Sequence, residues 1–203
     1  MRVSMLLYLL VCVQSLYAQQ YFFSRYTPRN GLVNNRARSM YQDSKGRLYI
    51  CTYGGLSVYD GSRFINYTTE DGLVASLVND IVEMGDDSLW VIPNGRSLHC
   101  LVHGILRNIE MTDHFYPVVN HIIHGSDGHY YGLCDEGLYR LDQDANTSGH
   151  QPAGLHWTRI ILPDSTGTDV GRNILQGIEW NRQLILICQP FPFSRTSLPS
   201  LII

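Results

Sequence analysis

Short runs of apolar and aromatic residues, separated by polar turns, dominate the chain after its first twenty residues. These runs lie at 47–52, 56–59, Phe64–Tyr67 and Val78–Glu83. Their β-branched, aromatic and alternating character is typical of short strands, some of them buried. Between them, the polar turn at 43–46 ends in glycine, and Asp60-Gly61 is a hairpin signal. No 3.6-residue periodicity is sustained beyond the N-terminal segment, so the pattern predicts an all-β chain.

The strand pattern recurs every 41 residues. Asn-Gly-Leu-Val at 30–33 returns as Asp-Gly-Leu-Val at 71–74, and the aromatic residue of the second strand recurs as Tyr49, Trp90 and Tyr131. Three units are predicted to stay in phase without a gap. Four short strands in about 41 residues are typical of one β-propeller blade. A β-sandwich is the alternative, but it gives no reason for so strict a recurrence.

The repeat divides the chain into segments. We predict a signal peptide at 1–18 and three blade units at about 27–67, 68–108 and 109–142. After them we predict an inter-blade insertion at 143–169, which is a loop or an extended hairpin, then a degraded fourth unit at 170–187 and an atypical tail at 188–203. The fold class is therefore an incomplete propeller of about three to four blades within 19–187. Closed propellers have about four to eight blades. Pro190 and Pro192 are unsuited to a central strand, so a truncated or frame-shifted gene product is expected.

The N-terminal segment has the features of a secretion signal. Arg2 precedes an apolar run at 5–13 that is too short to span a bilayer, and cleavage is expected after Ala18. An uncleaved anchor is the alternative. Lipidation at Cys12 is disfavoured because bulky residues precede it. We therefore expect an exported, periplasmic chain.

Composition narrows the classes of function. The chain has 203 residues, 44% hydrophobic and 16% charged, which excludes a disordered polypeptide. The net charge is -3, without a basic stripe, so no nucleic-acid partner is expected. Four cysteines follow the predicted signal: Cys51, Cys100, Cys134 and Cys188. Four cysteines allow three pairings, and their redox state stays open. The repeat places Cys51 in register with apolar residues, which favours a buried thiol.

Three groups of polar residues resemble catalytic or metal sites. His121, His124 and His129 suggest a metal cluster, but the repeat assigns them to strand and turn positions, and zinc needs three or four convergent ligands. The oxygen-rich stretch 142–149 lacks the glycine and glutamate that a calcium loop requires. Asp86-Asp87 occupies a turn position. We therefore expect no metal, no cofactor and no catalytic residue.

Aromatic side chains are the best ligand-binding candidates by residue type. Tyr53, Tyr116 and Tyr130 are the candidates, because flat rings stack on sugars and propellers bind ligands at loop mouths. Tyr130 is in register with leucines of the other units, so we assign it to the core. The ligand-binding residues remain unknown at this stage.

These residues resemble a known repeat. The similarity is to the two-component regulator propeller repeat, and it is carried by Tyr26, Gly31-Leu32, Gln42-Asp43, Gly46, Leu48-Tyr49-Ile50, Thr52, Gly54-Gly55-Leu56, Tyr59-Asp60-Gly61 and Phe64. It covers about 21–142 well and 170–187 weakly. Two departures are tyrosine instead of the usual tryptophan at Tyr49 and Tyr131, and Arg96-Ser97-Leu98 instead of a Gly-Leu pair.

The resemblance implies a function. Such repeats form the periplasmic sensor region of hybrid two-component histidine kinases, mainly in Bacteroidetes. They are followed there by an immunoglobulin-like domain, a membrane helix, and kinase, receiver and DNA-binding modules. The full-length sensor would be a homodimer in the inner membrane, and many relatives sense glycan-derived ligands. This chain would be a non-catalytic fragment of such a sensor, binding an oligosaccharide or another small extracellular ligand.

Two other classes of function remain. A propeller-fold carbohydrate-active enzyme is one, although the glycine-aspartate box of sialidase-type propellers is matched only in part by Asp43, Gly46 and Tyr49. A propeller scaffold that binds other proteins is the other. The enzyme and the scaffold have the same fold as the sensor, so only the residues of the functional site can distinguish the three classes.

Overall fold

The computed structural model describes residues 23–84, 88–143, 154–162, 174–180, 183–188 and 200–202. These residues form β-strands and, among helices, only two short 3-10 turns, Pro28–Asn30 and Thr69–Asp71. None of the described helices has the length and apolar character needed to cross a membrane. The predicted signal peptide at 1–18 lies outside the described residues.

The strands form four antiparallel sheets that follow one another along the chain. Blade 1 contains β1 to β4, at Ala37–Gln42, Leu48–Thr52, Gly55–Tyr59 and Phe64–Tyr67. Blade 2 contains β5 to β8, at Val78–Glu83, Ser88–Pro93, His99–Val102 and Ile105–Asn108. Blade 3 contains β9 to β12, at Val119–His124, Tyr130–Cys134, Gly137–Gln143 and Leu155–Ile160. The described part of blade 4 contains β13 to β15, at Ile174–Trp180, Gln183–Cys188 and Ser200–Ile202.

The first strands of successive blades lie beside one another. β1 contacts β5, β5 contacts β9, and β9 contacts β13, so these strands are the innermost of their sheets. Within each of the first three sheets the remaining strands follow outward in chain order. This is the arrangement of propeller blades around an axis. The predicted all-β class and incomplete propeller are confirmed.

A glycine-terminated turn introduces each of the first two blades. In the first, the Asn30 side chain accepts hydrogen bonds from the backbone N–H and hydroxyl of Thr27, at 3.0 Å each, and Gly31 follows with φ +103°. In the second, the same turn ends at Gly72, also with φ +103°. That left-handed conformation favours glycine. The recurring sequence at 30–33 and 71–74 therefore encodes this turn.

Each junction between blades joins two defined apolar faces. We call the face toward the next blade the forward face, and the face toward the preceding blade the rear face. At the first junction a buried cluster joins both faces: Tyr49, Cys51, Leu56 and Val58 of blade 1 with Ile81, Leu89, Val91 and Leu101 of blade 2. The second junction repeats it, with Trp90, Ile92, Leu98 and Cys100 against Ile122, Tyr139, Leu141 and Trp157. Apolar area removed from water here is the main stabilisation of the array.

Buried asparagines link the inner strands across two junctions. The Asn79 side-chain amide donates to the Val119 carbonyl at 2.8 Å, and Asn120, 41 residues later, donates to the Ile174 carbonyl at 3.1 Å. Both asparagines are at least nine-tenths buried. Each bond therefore satisfies a buried carbonyl of the following blade, which would be costly to leave unpaired.

One prediction about the repeat is wrong: blade 2 is not in phase throughout. Tyr49 pairs with Val58, nine residues later, whereas Trp90 pairs with Cys100, ten residues later. The connection between the second and third strands of blade 2 is therefore one residue longer. Ser97-Leu98 takes the place of the Gly-Leu pair that opens the third strand of blade 1, which explains its absence at the expected position.

A second correction concerns the insertion predicted at 143–169 as a loop or an extended hairpin between blades, because part of it belongs to blade 3. Leu155–Ile160 within it forms the fourth strand of blade 3 and pairs with β11, where Trp157 lies opposite Leu141. Leu155 and Trp157 are buried at alternate positions, as in a strand with one covered face. The repeat offset missed this strand because the connection that precedes it is longer than in the other blades.

The end of the chain differs from the prediction in one respect. The two strands predicted in the fourth unit are present as β13 and β14. Ser200–Ile202, within the predicted atypical tail, pairs with β14 as a third strand. The rest of the tail lies outside the described residues.

Candidate functional site

The turns of each blade divide between two faces of the propeller. Because neighbouring strands are antiparallel, the turns between second and third strands lie on the same side as the connections between blades. We call this side the connection face. Tyr53, Asn94 and Asp135 follow the second strands there at equivalent positions, each exposed. Since the second strand is next to the innermost one, these residues lie along the inner edge of the connection face, and we call this edge the channel mouth.

On blade 1 the mouth carries an aromatic ring beneath a cation. The Arg36 guanidinium carbon lies 4.2 Å from the centre of the Tyr53 ring. The Tyr53 backbone N–H donates to the Arg36 carbonyl at 3.1 Å, and the Arg36 N–H donates to Asn34 Oδ1 at 2.8 Å. Tyr53 remains 39% exposed. A fixed, accessible ring of this kind can stack on a flat apolar face of a ligand.

Between blades 2 and 3 an ion pair spans the face. Arg96 Nη2 donates to Glu136 Oε1 at 2.9 Å, and Arg96 Nη1 donates to the Tyr116 carbonyl at 3.2 Å. Glu136 Oε2 accepts from the Val118 N–H at 3.1 Å. The arginine side chain is 64% exposed, so the pair contributes little to stability. It instead presents a positioned guanidinium at the surface.

The inner asparagines hold the mouth residues in place. Asn79 donates to Asn94 Oδ1 at 3.3 Å, and Asn120 donates to Asp135 Oδ1 at 2.8 Å. The mouth therefore combines one ring with amide, carboxylate and guanidinium groups on a rigid scaffold. Such a set suits a polar, hydroxyl-rich ligand, which needs both donors and acceptors and one apolar surface.

The three tyrosines singled out from the sequence have different surroundings. Tyr53 lies on the connection face, as described. The Tyr116 hydroxyl accepts from the Met111 N–H at 3.0 Å, and its ring packs against the core, so it supports the face from below. Tyr130 packs against the same core and stacks on His124, with centroids 4.5 Å apart. Its assignment to the core is confirmed.

The candidate metal ligands do not converge. His121 pairs through Nδ1 with Asp80 of the preceding blade, His124 stacks on its tyrosine, and His129 lies 3.3 Å from Asp127 in a turn. Within the described ranges, no three histidine, cysteine, aspartate or glutamate side chains are placed to share a metal ion.

Two other groups of polar residues were candidates, the stretch 142–149 and Asp86-Asp87, and the structure describes only the start of the first. The Asp142 carboxylate accepts two bonds from Arg140, at 2.7 and 3.1 Å. The remaining residues of 142–149 that could serve as calcium ligands, and both Asp86 and Asp87, lie outside the described residues.

The described cysteines are buried and free. Cys51, Cys100 and Cys134 form no disulfide with one another, and the prediction of a buried thiol at Cys51 is confirmed. Burial raises the pKa of Cys51 to about 12 and that of Cys134 well above its ordinary value. Neither is therefore a reactive thiolate. The side chain of Cys188 is outside the described set.

Sequence reasoning missed a buried histidine. His99 is 1% exposed, and its Nε2 accepts from the Val74 N–H at 3.3 Å. Ser57 has the same role in blade 1, where its Oγ accepts from the Val33 N–H at 3.0 Å. Burial lowers the pKa of His99 to about 4, so the ring is neutral at pH 7. Val33 and Val74 are equivalent in the repeat, which was the available signal that their hydrogen-bond partners are equivalent too. Because the connection in blade 2 is one residue longer, the 41-residue offset did not align His99 with Ser57.

A cleft of about 710 Å³ lies between blades 3 and 4. Its polar wall includes Ser126 and Glu179, whose carboxylate accepts from the Ser126 N–H at 2.7 Å, and its floor includes Leu138 and Leu184. The serine and the carboxylate already satisfy one another. We therefore place the candidate site on the connection face, where exposed groups of three successive blades lie at equivalent positions.

Comparison with protein families identifies one repeat. Residues 31–54 match the family described as two component regulator propeller, which confirms the resemblance derived from the sequence. The match spans the turn at Gly31, β1, β2 and Tyr53. No curated protein matches the chain significantly.

Solved structures share the fold. The extracellular domain of the putative hybrid two component system BT3049 from B. thetaiotaomicron is 19% identical, with a TM-score of 0.64, over 83% of this chain and 24% of that one. The extracellular domain of BT4673 from the same organism is 20% identical, with a TM-score of 0.60, over 81% and 22%. A catalytically inactive virginiamycin B lyase from Staphylococcus aureus with quinupristin is 14% identical, with a TM-score of 0.56, over 85% and 55%. The chain thus spans about a quarter of the length of the two extracellular domains from B. thetaiotaomicron.

Proposed function

We propose that this chain is part of the ligand-sensing propeller of a hybrid two-component sensor histidine kinase and is itself non-catalytic. The observation that carries the proposal is the two component regulator propeller match at 31–54. Likeness to extracellular domains of putative hybrid systems supports it. Fold alone does not imply function, so the connection face supplies the testable part.

The proposed ligand is a glycan fragment bound over the channel mouth. Tyr53 would stack on a sugar ring, while Asn94, Asp135 and Arg96 would bond its hydroxyls. These groups belong to three different blades, so one ligand touching them would bridge blades. A sensor can use such bridging to favour one arrangement of blades over another.

Replacing Tyr53 tests this proposal. In isothermal titration of the full chain with a panel of plant- and host-derived oligosaccharides, we expect saturable binding of at least one, and Tyr53→Ala should weaken it at least about tenfold. Tyr26→Ala is the matched control. Tyr26 is 43% exposed but packs on Tyr59 and Phe64 at the other end of blade 1, so its loss should leave affinity unchanged.

Three results would contradict the proposal. Equal affinity of the Tyr53 and Tyr26 variants would place the binding site elsewhere. Breakdown of any oligosaccharide by the purified chain would favour the alternative of a propeller-fold carbohydrate-active enzyme. A partner protein captured at the mouth, with no oligosaccharide bound, would favour a scaffold.

Export is the second part of the proposal. We propose a periplasmic location after cleavage behind Ala18, with the full-length sensor in the inner membrane as a homodimer. The positively charged start and apolar run of the sequence support it, as does the extracellular location of the two sensor domains. N-terminal sequencing of the periplasmic protein should begin at Gln19; recovery of the intact start in the cytoplasm would refute export.

A further inference from the structure

At the channel mouth, blade 1 carries an arginine where the next two blades carry an apolar residue. The Arg36 carbonyl accepts a hydrogen bond from the Tyr53 N–H at 3.1 Å. The same bond recurs in the next two blades, from Asn94 to Leu77 at 2.8 Å and from Asp135 to Val118 at 3.1 Å. Both of these apolar residues are partly buried, whereas Arg36 is exposed. Its side chain therefore does not have their packing role.

A second arginine of blade 1 replaces a buried asparagine. Where the first and second strands of each blade pair, one residue of the first strand is skipped; the skipped residues are Arg38, Asn79 and Asn120. The two asparagines are buried and donate to the mouth residues of their own blades, at the position of Tyr53. Arg38 is exposed instead. By this equivalence it lies beside Tyr53 at the channel mouth.

Neither arginine has a carboxylate partner in the part of the chain that the structure describes. Four other arginines each pair with one: Arg47, Arg63, Arg96 and Arg140. The guanidinium of Arg36 instead lies on the Tyr53 ring, and such a ring contact leaves its positive charge uncompensated. Blade 1 thus presents two uncompensated positive charges next to an exposed aromatic ring.

The acidic groups of the mouth lie on blade 3 and are already bonded. Asp135 accepts from Asn120 at 2.8 Å, and Glu136 accepts from Arg96 at 2.9 Å. The mouth is therefore positive over blade 1, and its negative groups are separated from that charge by blade 2. An anionic ligand meets attraction at blade 1 that no described carboxylate of that blade's mouth offsets.

The position of the two arginines keeps them accessible within a longer propeller. Asn94 has blades on both sides and is exposed, so the equivalent Tyr53 does not depend on a missing neighbour for its exposure. Asn79, the equivalent of Arg38, donates to the Val119 carbonyl of the following blade. Arg38 therefore lies on the side of blade 1 that faces blade 2, which is present.

We propose that the ligand of the channel mouth is an acidic oligosaccharide, whose anionic group binds Arg36 and Arg38 while a sugar ring packs on Tyr53. This inference rests on the proposed function and names the class of its ligand. The carboxylate of a uronic acid and a sulfate ester share the required chemistry, because both offer several oxygens to charge-assisted hydrogen bonds from guanidinium groups. The charge separation along the mouth would also orient the ligand, with its acidic group over blade 1.

Matched acidic and neutral ligands test the proposal. Isothermal titration of the full chain would compare an oligogalacturonide with its methyl ester, and a sulfated galactan oligosaccharide with its desulfated form. We expect the acidic member of at least one pair to bind at least about tenfold more tightly than its neutral partner. The responding pair identifies the anionic group as carboxylate or sulfate.

Charge-removing variants locate the anion. Arg36→Gln and Arg38→Gln should each weaken binding of the acidic member at least about fivefold and leave that of the neutral member unchanged. Arg63→Gln is the matched control, because it removes the same charge from an exposed side chain in the turn between β3 and β4, 3.5 Å from Asp60. It should leave both affinities unchanged. Circular dichroism checks that all three variants are folded.

The alternative outcomes separate this inference from the function on which it rests. Equal affinity for acidic and neutral members, with Tyr53→Ala weakening both, would refute the acidic class and leave the sensor proposal intact. Equal losses in the Arg36, Arg38 and Arg63 variants would mean that net charge alone attracts the ligand, which also refutes it. Absence of binding for every oligosaccharide, acidic or neutral, would refute both proposals.

Discussion

Gly55→Val is expected to destabilise the chain by more than about 4 kcal/mol, enough to unfold blade 1. Gly55 opens β3 with φ +136°, and a Cβ added there would lie 2.2 Å from the Tyr67 carbonyl oxygen. That oxygen is backbone and cannot rotate away, so β3 and β4 would have to separate. The energetic cost of the clash therefore adds to the cost of placing valine in the left-handed conformation. Urea unfolding of the full chain measures the resulting loss in the free energy of unfolding.

Two control variants separate these causes. Gly61 also has a positive φ, +99°, but an added Cβ meets nothing within 4 Å, so Gly61→Ala should cost only about 1–2 kcal/mol of strain. Ser62→Val, in the exposed turn, should cost no more than about 1 kcal/mol. If Gly55→Val and Ser62→Val unfold at the same urea concentration, the close approach of β3 and β4 is not as described.

Acidification should also destabilise the chain strongly. We expect the titration of His99 to lower the free energy of unfolding by about 3 kcal/mol. Its pKa falls from 6.5 to about 4 on folding because burial disfavours the charged ring. Between pH 6.5 and about 4 the unfolded chain binds a proton on His99 that the folded chain does not. The contribution to stability is therefore complete above pH 6.5 and is lost as the pH falls to about 4. Protonation also removes the acceptor for the Val74 N–H.

The pH dependence of urea unfolding between pH 7 and pH 4 measures this effect. His99→Gln retains an acceptor but does not titrate, so its free energy of unfolding should fall less steeply than that of the unsubstituted chain. His103→Gln, at an exposed turn, should leave the slope unchanged. Parallel profiles for the unsubstituted chain and His99→Gln would contradict the assignment.

The blades were predictable from the sequence because each strand repeats its chemistry at a fixed offset. Tyr49, Trp90 and Tyr131 mark one buried strand three times, and Gly31 and Gly72 mark the turn that precedes a blade. The slip in blade 2 was not predictable, because a longer turn followed by a shorter connection restores the offset by Val119. The strand at Leu155–Ile160 was missed because no equivalent strand lies 41 residues before it. The alternation of apolar and polar residues along it was nevertheless visible in the sequence.

The candidate site was less predictable than the fold. The position of Tyr53 in a turn was visible in the sequence, but its pairing with Arg36 depends on a connection folding back over the blade. The contact between Arg96 and Glu136 joins residues 40 apart and follows from blade packing alone. Local pattern carries no information on which turns meet across a junction. The repeat did correctly indicate that the three histidines have separate surroundings.

The identity of forward and rear faces at each junction has a consequence for how such genes change. Deleting a segment of one blade length would bring together two faces that already fit, as would duplicating one. The number of blades can therefore change by recombination between repeats without new core packing. The side chains at the channel mouth lie outside these faces, so they are free to diverge from blade to blade. A lineage can in this way retain its scaffold while its binding surface changes.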